Sequence, residues 1–211
     1  TGVLLAAEND GLRFVATDSY RLAVRDLPGT SILGRDQTVL VPSRALEVTG
    51  RLLGDADELT IRLAEREASF IVDDVTIVTR LIEGEFPNYR GLIPSDHPNV
   101  LVVERVALIE AVRRVGLLAQ DSTPVRLAMS GDGLELIAIT QDVGQAHETL
   151  DSSYEGNDLT VAFNPGYLLD GLEVSPGEEV RLETIDALKP AVIRSVDEEG
   201  FLYLLMPVRV S

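Results

Sequence analysis

The sequence has 211 residues, a formal net charge of −17 at pH 7, 45% hydrophobic residues and 25% charged residues. This balance is typical of a globular protein with a substantial apolar core, and it excludes an intrinsically disordered chain. The absence of cysteine excludes disulfides, thiolate metal ligands and a cysteine nucleophile, so the cytoplasm is the expected location. The sequence contains no run of about 20 apolar residues, as a membrane helix needs, and it starts without the basic segment of a signal peptide.

The strong negative charge argues against an ordinary nucleic-acid-binding surface, because phosphate binding usually requires a basic domain. It also argues against an anionic membrane surface. A role on DNA would therefore need a local basic face, or a protein topology that holds DNA with little binding affinity.

An internal repeat organises the chain. When the sequence is shifted by 122 positions, ten residues of the segment 10–46 fall on identical residues, among them Gly11, Leu12, Thr38 and Val39. Self-similarity over such a length indicates two copies of one structural unit.

The first copy is predicted to contain strands, one helix and a closing pair of extended segments. Gly54 is expected to end the helix, and Asp73-Asp74 is expected to form a hairpin tip. In chain order the predicted elements are strands Leu12–Thr17, Arg21–Asp26 and Thr38–Val41, helix Pro42–Leu53, and the pair Leu59–Leu63 and Ala68–Arg80.

A Pro-rich polar link at residues 93–98 separates the copies, so the predicted domains are residues 1–94 and 95–211. Asn164-Pro165 is a favourable helix start, with asparagine as the cap and proline at the first helical position. The second copy is predicted to contain strand Val100–Val103, helix Glu104–Ala119, strands Leu134–Thr140, Gln145–Leu150 and Leu159–Phe163, helix Pro165–Leu172, and the pair Val180–Thr184 and Ala191–Pro207.

The helix Glu104–Ala119 carries an apolar stripe at Leu108, Ile109, Val112, Val115 and Gly116, as expected of an amphipathic helix. This helix and the strand before it have no counterpart in the first copy, which is therefore expected to lack one strand and one helix. The predicted fold class is α+β, built from repeated domains whose antiparallel sheets carry two helices on one face in each complete domain.

Catalytic and metal-binding patterns are missing from the sequence. Neither a Gly-x-Ser-x-Gly elbow nor an HExxH pair is present, and His97 and His147 are both expected to be solvated. Asp18 follows a strand, where a carboxylate either caps a turn or acts in catalysis, and turn capping is favoured. We expect no catalytic residue, no metal and no cofactor.

Two alternative functions remain open from the sequence. One is a hydrolase with a buried pair of carboxylates, and the other is a structural repeat protein in which the junction between the two units is closed and polar.

The C-terminal segment is apolar almost to its end, although chain ends are usually polar. Leu22, Pro87 and Leu92 are further apolar residues at the ends of predicted elements. In a chain without catalytic groups, these residues favour an apolar groove as the binding site.

Four segments, taken in order, resemble a known family: Ala16–Ala23, Arg80–Tyr89, Phe163–Asp170 and Tyr203–Arg209. Together they are similar to the bacterial DNA sliding clamp, the β subunit of DNA polymerase III. The resemblance covers essentially the whole chain, corresponding to most of the middle domain and all of the last domain of the family.

The resemblance implies a replication processivity factor rather than an enzyme. Members of the family have three copies of one fold per chain, and two chains form a ring around duplex DNA. The implied partners are duplex DNA, replicative and repair polymerases, the clamp loader, other proteins with a clamp-binding motif, and a second clamp chain. Without the first domain, this chain is not expected to close the normal ring.

The resemblance also implies the site residues. Four helix-borne arginines would face DNA: Arg44, Arg51, Arg113 and Arg114. A short motif rich in Gln, Leu and Phe would dock in a pocket between the two domains. The pocket residues carried over from the family are Thr17, Ser19, Tyr20, Arg21, Leu22, Pro87, Leu92, Asn164, Tyr167, Leu188, Leu204, Leu205, Met206, Pro207, Val208 and Arg209.

Overall fold

The computed structural model describes residues 2–8, 11–119 and 123–210, which divide into two compact units. Unit 1 holds the described residues up to Thr17 together with Val24–Asn88, and unit 2 holds Asp18–Ala23 and the described residues from Tyr89 onwards. Antiparallel sheets and helices make up both units, which confirms the predicted α+β class.

Unit 1 contains two sheets and one helix. Strand β1 pairs antiparallel with β2 and β4, while β5, β6 and β7 form a three-stranded antiparallel sheet. Its core includes Leu5, Leu12, Val41 and Phe70, all of which are fully buried. The elements are β1 Gly2–Glu8, β2 Gly11–Thr17, β3 Arg21–Pro28 (whose first three residues belong to unit 2), β4 Thr38–Pro42, helix α1 Ser43–Leu53, β5 Thr60–Leu63, β6 Glu67–Val72 and β7 Val75–Arg80.

The boundaries in unit 1 follow from backbone conformation. Helix α1 ends at Gly54, whose positive φ of 42° suits a residue without a side chain, as predicted. Asp73 also has a positive φ, 49°, and lies with Asp74 at the predicted hairpin tip between β6 and β7. The end of helix α1 and the tip of the β6–β7 hairpin were therefore both correctly predicted.

Unit 2 contains two helices and two antiparallel sheets. Within this unit the strand orders are β12-β8-β14-β15-β16 and β11-β10-β9-β13. Leu101, Leu127, Phe163 and Leu168 belong to one continuous core. The elements are a 3₁₀ turn Tyr89–Leu92, β8 Asn99–Glu104, α2 Arg105–Gly116, β9 Val125–Ser130, β10 Gly133–Thr140, β11 Gly144–Leu150, β12 Ser152–Glu155, β13 Leu159–Phe163, α3 Pro165–Val174, β14 Glu179–Thr184, β15 Ala191–Ser195 and β16 Phe201–Leu205.

Side-chain caps fix the start of each helix in unit 2. The Glu104 carboxylate accepts hydrogen bonds from the amides of Val106 (3.0 Å) and Ala107 (2.6 Å) at the start of α2. The Asn164 side chain accepts from the Tyr167 amide at 3.1 Å, and Pro165 opens α3 as predicted. The predicted stripe on α2 is confirmed, since Leu108, Ile109, Val112 and Val115 are buried and Gly116 is half-buried.

The expectation of two solvated histidines is confirmed for His147 and wrong for His97. The His147 side chain is 45% exposed, whereas that of His97 is only 8% exposed, with Nδ1 at 3.4 Å from Glu183 Oε2. The composition of the link gave no signal of this burial, because His97 packs against a strand more than 80 residues further along the chain.

The burial of His97 predicts a pH dependence of stability. Desolvation lowers the pKa of His97 below 6.5, with a smaller contribution from Arg194, and the charges of Glu183 and Asp96 oppose this shift only in part. The folded chain therefore binds fewer protons at His97 than the unfolded chain, so its contribution to stability is complete above pH 6.5 and declines as the pH falls below that value. Urea unfolding at pH 7.5 and pH 5.5 should show a smaller loss of stability for His97→Gln than for the unmodified chain. Equal losses in both proteins would contradict the prediction.

Candidate functional site

A tight turn in unit 2 presents the first group of predicted site residues. The Asp18 carboxylate accepts hydrogen bonds from the amides of Tyr20 (2.8 Å) and Arg21 (2.9 Å), and the Asp18 amide donates to the Arg21 carbonyl. Asp18 is therefore a turn cap, the interpretation favoured from the sequence. Partial desolvation acts to raise the pKa of Asp18, but these hydrogen bonds and the Arg21 guanidinium outweigh it and lower the pKa. A carboxyl group held ionised in this way is unsuited to general acid catalysis.

Arg21 connects this turn to helix α3. Its guanidinium contacts Asp18 Oδ2 through Nε at 3.1 Å and Asp170 Oδ2 through Nη1 at 2.5 Å. The same group lies over the Tyr167 ring, with Cζ 4.2 Å from the ring centroid. Burial acts to lower the pKa of Arg21, but hydrogen bonds with Asp170, Tyr203 and Asp18 more than offset it, so the arginine remains charged.

Aromatic side chains complete this cluster. The Tyr20 and Tyr167 ring centroids are 5.8 Å apart, and the rings are tilted by 32°. The Tyr203 hydroxyl donates a hydrogen bond to the Tyr167 carbonyl at 2.8 Å. Burial raises the pKa of Tyr203, against an opposing effect of Arg21, so the hydroxyl stays protonated and available as a donor.

The C-terminal segment runs beside the same turn. The Met206 amide donates to the Tyr20 carbonyl at 2.9 Å, and the Val208 amide donates to the Ala162 carbonyl at 2.7 Å. These two bonds fix the backbone, while the Met206 side chain is 40% exposed. We name the cluster formed by Asp18, Tyr20, Arg21, Tyr167, Asp170, Tyr203 and Met206 the turn–α3 cluster.

The structure thus brings together Tyr20, Arg21, Tyr167 and Met206 from the predicted pocket. Asn164 contributes as the cap that orients the first turn of α3. Leu22, Leu204 and Leu205 are buried, so they expose little apolar area to a ligand. Ser19 and Arg209 are exposed, and Pro207 and Val208 are half-buried.

The remaining four predicted pocket residues are Thr17, Pro87, Leu92 and Leu188. Leu92 is exposed in the 3₁₀ turn, and Leu188 is exposed in the β14–β15 connection, where the Asp186 carboxylate accepts from its amide at 2.7 Å. Among the described residues, no hydrogen bond or ring contact joins Leu92 or Leu188 to the turn–α3 cluster. Thr17 and Pro87 belong to unit 1, and their part in a pocket stays a prediction.

Asp170 and Tyr203 are functional candidates that the sequence reasoning did not include among the site residues. Asp170 follows Tyr167 by three positions on α3, and residues at this spacing share one face of a helix. This three-residue spacing is the sequence signal that places Asp170 next to Tyr167. The role of Tyr203 depends on a bond to a residue 36 positions away and had no local signal.

The four predicted DNA-facing arginines are all exposed, but they differ in their ion pairs. Arg113 on α2 pairs with Glu173 on α3 at 2.6 Å, and Arg114 pairs with Glu148 and with Glu110. Arg44 and Arg51 on α1 form no ion pair with any residue that the structure describes. The two arginines of α1 are therefore the more available to an anionic ligand.

A separate open depression of about 710 Å³ lies at one end of the four-stranded sheet of unit 2. Its lining includes Asp132, Glu135, Asp151 and Asp158, and none of its lining residues was predicted to belong to the pocket. Within residues 2–8, 11–119 and 123–210, no group of three or more His, Asp or Glu side chains is arranged to hold a metal ion. None of the described helices is long and apolar enough to cross a membrane.

Comparison with known proteins gives two matches to family profiles. The profile described as DNA polymerase III beta subunit, central domain, matches residues 1–88, and the profile described as the C-terminal domain of the same subunit matches residues 90–209.

Individual relatives agree with the profiles. A beta sliding clamp from Streptomyces coelicolor is 36% identical over 228 residues, which covers 100% of this chain and 59% of the relative. A beta sliding clamp from Bacillus subtilis is 31% identical and is covered to 57% of its length. The chain therefore spans less than two thirds of the length of these relatives.

Solved structures show the same similarity in three dimensions. A crystal structure of the sliding clamp from Bacillus subtilis superposes with a TM-score of 0.93 at 30% identity, covering 100% of this chain and 57% of that one. A sliding clamp from Pseudomonas aeruginosa, crystallised with griselimycin bound, has a TM-score of 0.91 at 30% identity, covering 99% of this chain and 57% of that one.

Proposed function

Because the chain belongs to the DNA polymerase III beta subunit family, we propose that it is part of a DNA sliding clamp, a processivity factor that encircles duplex DNA and tethers its partners. In this proposal the chain is not an enzyme and acts in the cytoplasm. Its domains are residues 1–94 and 95–211, and its partners are replicative and repair polymerases, the clamp loader, other motif-bearing proteins and a second clamp chain.

The observation that carries the proposal is the turn–α3 cluster. It combines exposed apolar side chains, such as Met206 and Tyr20, with a charged guanidinium and fixed backbone groups. Apolar anchors flanked by a few oriented polar groups are what a short linear motif requires, because the anchors supply affinity and the polar groups set register. A Gln-Leu-x-Leu-Phe peptide fits this chemistry.

The DNA-binding part of the proposal assigns contact with phosphates to Arg44 and Arg51, with Arg113 and Arg114 as secondary contacts. Salt bridges to glutamate partly neutralise the two arginines of α2. Weak, exchangeable phosphate contacts suit a protein that holds DNA by topology, and the net charge of −17 opposes adhesion elsewhere on its surface.

Fluorescence anisotropy of a labelled Gln-Leu-x-Leu-Phe peptide, titrated with the 211-residue chain, tests the proposed function. We expect saturable binding in the micromolar range, about −8 kcal/mol, that an excess of unlabelled peptide reverses. A peptide of the same composition in scrambled order is the control. If binding is not saturable, or if the scrambled peptide binds equally well, the chain has no specific peptide-binding groove and that part of the proposal is wrong.

A further inference from the structure

The ion pair between Arg21 and Asp170 joins two segments that are far apart in the sequence. Asp170 lies on α3 and Arg21 in the turn that Asp18 caps, 149 positions earlier. Asp18 also contacts the guanidinium, but it belongs to the same turn and orients Arg21 only locally. Asp170 therefore provides a side-chain connection by which α3 fixes the direction of the arginine.

The direction of the Arg21 side chain determines how the rings of Tyr167 and Tyr20 are held. With its guanidinium 4.2 Å from the Tyr167 ring centroid, Arg21 covers one face of that ring. The Tyr167 ring in turn contacts Tyr20, which is 56% exposed. Because both stacking and cation–π attraction depend strongly on geometry, releasing Arg21 would free both rings to change rotamer.

We propose that Asp170 is a positioning residue for partner peptides, because its carboxylate holds the Arg21 guanidinium over Tyr167 and so fixes the aromatic part of the binding surface. This inference rests on the proposed peptide-binding function. Asp170 itself acts through Arg21 and is not assigned a contact with the peptide.

The exposure of the pair sets the size of the expected effect. The Arg21 side chain is 29% exposed and that of Asp170 is 61% exposed, so water and salt screen their attraction. We expect Asp170→Asn to weaken peptide binding about three- to tenfold at low salt, which is the range that partly exposed ion pairs and lost preorganisation produce. The penalty should shrink at about 500 mM NaCl, where the Debye length is only a few ångströms.

Three further variants separate positioning from a merely structural role. Asp170→Glu keeps the charge on the same helix face and should recover most of the affinity. Glu173→Gln removes one negative charge from the same helix, away from the cluster, and should leave peptide binding unchanged. In an Arg21→Met background, Asp170→Asn should have no additional effect, because the residue through which it acts is gone.

A second readout does not need the peptide. The chain has no tryptophan and five tyrosines, of which three, Tyr20, Tyr167 and Tyr203, lie in the turn–α3 cluster. Asp170→Asn should therefore increase the quenching of tyrosine fluorescence by acrylamide, a neutral quencher, while Glu173→Gln should not.

These experiments distinguish failure of the positioning role of Asp170 from failure of the proposed peptide-binding function. If the unmodified chain binds no peptide, the proposed function fails and the positioning claim fails with it, although increased quenching would still establish the Arg21–Asp170 restraint on the rings. If the unmodified chain binds, positioning is overturned by unchanged affinity of Asp170→Asn, or by an equal penalty in the Arg21→Met background.

Discussion

Replacing Met206 with aspartate is expected to weaken peptide binding by at least about 30-fold, which corresponds to about 2 kcal/mol and is typical of an interface hot spot. The Met206 side chain is 40% exposed beside a backbone that the Tyr20 carbonyl fixes, so it offers apolar area directly to a ligand. A carboxylate at this position would lose that contact and would have to be desolvated on binding. Anisotropy titrations with the labelled peptide measure the change.

The fold should survive this substitution, because Met206 follows the last residue of β16 and is not part of the core. Val196→Asp is the matched control: Val196 is 44% exposed in the same unit, outside the turn–α3 cluster, and its replacement should leave the affinity unchanged. Leu22 is a poor choice for this test, since it is 1% exposed and a charge there would disrupt folding. Unchanged affinity of the Met206 variant, with Val196→Asp behaving as expected, would exclude Met206 from the site.

A glycine-to-alanine substitution is expected to have opposite effects in two helices. Alanine is favoured over glycine in a helix interior by about 1 kcal/mol. At Gly171 in α3, however, an added methyl carbon would lie 2.3 Å from Tyr203 Cδ1 and 2.4 Å from Cε1. Tyr203 is buried and cannot give way easily, so overpacking, which costs about 1–3 kcal/mol, outweighs the helix propensity. We expect Gly171→Ala to destabilise unit 2 and to weaken peptide binding, because Tyr203 bonds to the Tyr167 carbonyl.

Gly50 in α1 is the matched position, since an added methyl carbon there would meet no atom within 4 Å. Gly50→Ala should therefore stabilise the chain by up to about 1 kcal/mol. Urea unfolding followed by far-ultraviolet circular dichroism measures both variants, and tyrosine fluorescence follows unit 2, which holds all five tyrosines. A stabilising effect of Gly171→Ala would show that the packing of Tyr203 against α3 is not restrictive.

Much of the fold was predictable because local signals and tertiary structure agree. Asn164-Pro165 correctly predicted the start of α3, and strand Leu159–Phe163 was predicted with its observed bounds. The predicted segment Ala191–Pro207 is two strands, β15 and β16, and Glu198-Glu199 lies in the connection between them.

Three strands, Gly2–Glu8, Val125–Ser130 and Ser152–Glu155, were not predicted. Val125–Ser130 alternates buried and half-buried residues, so its sequence does carry the period-two signal of a half-buried strand. Gly2–Glu8 has three consecutive buried residues and therefore lacks the alternation that reveals a half-buried strand. Ser152–Glu155 has only four residues, too few for periodicity to be informative.

The candidate site was predictable only in part. The resemblance grouped Tyr20 and Arg21 with Tyr167 and Met206, and the structure places these residues close together although they are separated by up to 186 positions. Composition and periodicity could not have done so, because the contacts depend on the tertiary arrangement of a turn, a helix and the C-terminal segment. The burial of Leu22, Leu204 and Leu205 could not be distinguished from exposure in an apolar groove, since both environments favour the same residue types.

Hydrogen–deuterium exchange with and without the Gln-Leu-x-Leu-Phe peptide tests the central claim most directly, because it locates the bound peptide on the chain without relying on any substitution. We predict that the peptide slows exchange in Asp18–Ala23, in the first turns of α3 and in residues 203–209, and leaves β5, β6 and β7 unchanged. Protection at the acidic depression around Asp132 and Asp158 instead, or no protection at saturating peptide, would contradict the assignment of the turn–α3 cluster as the partner-binding surface.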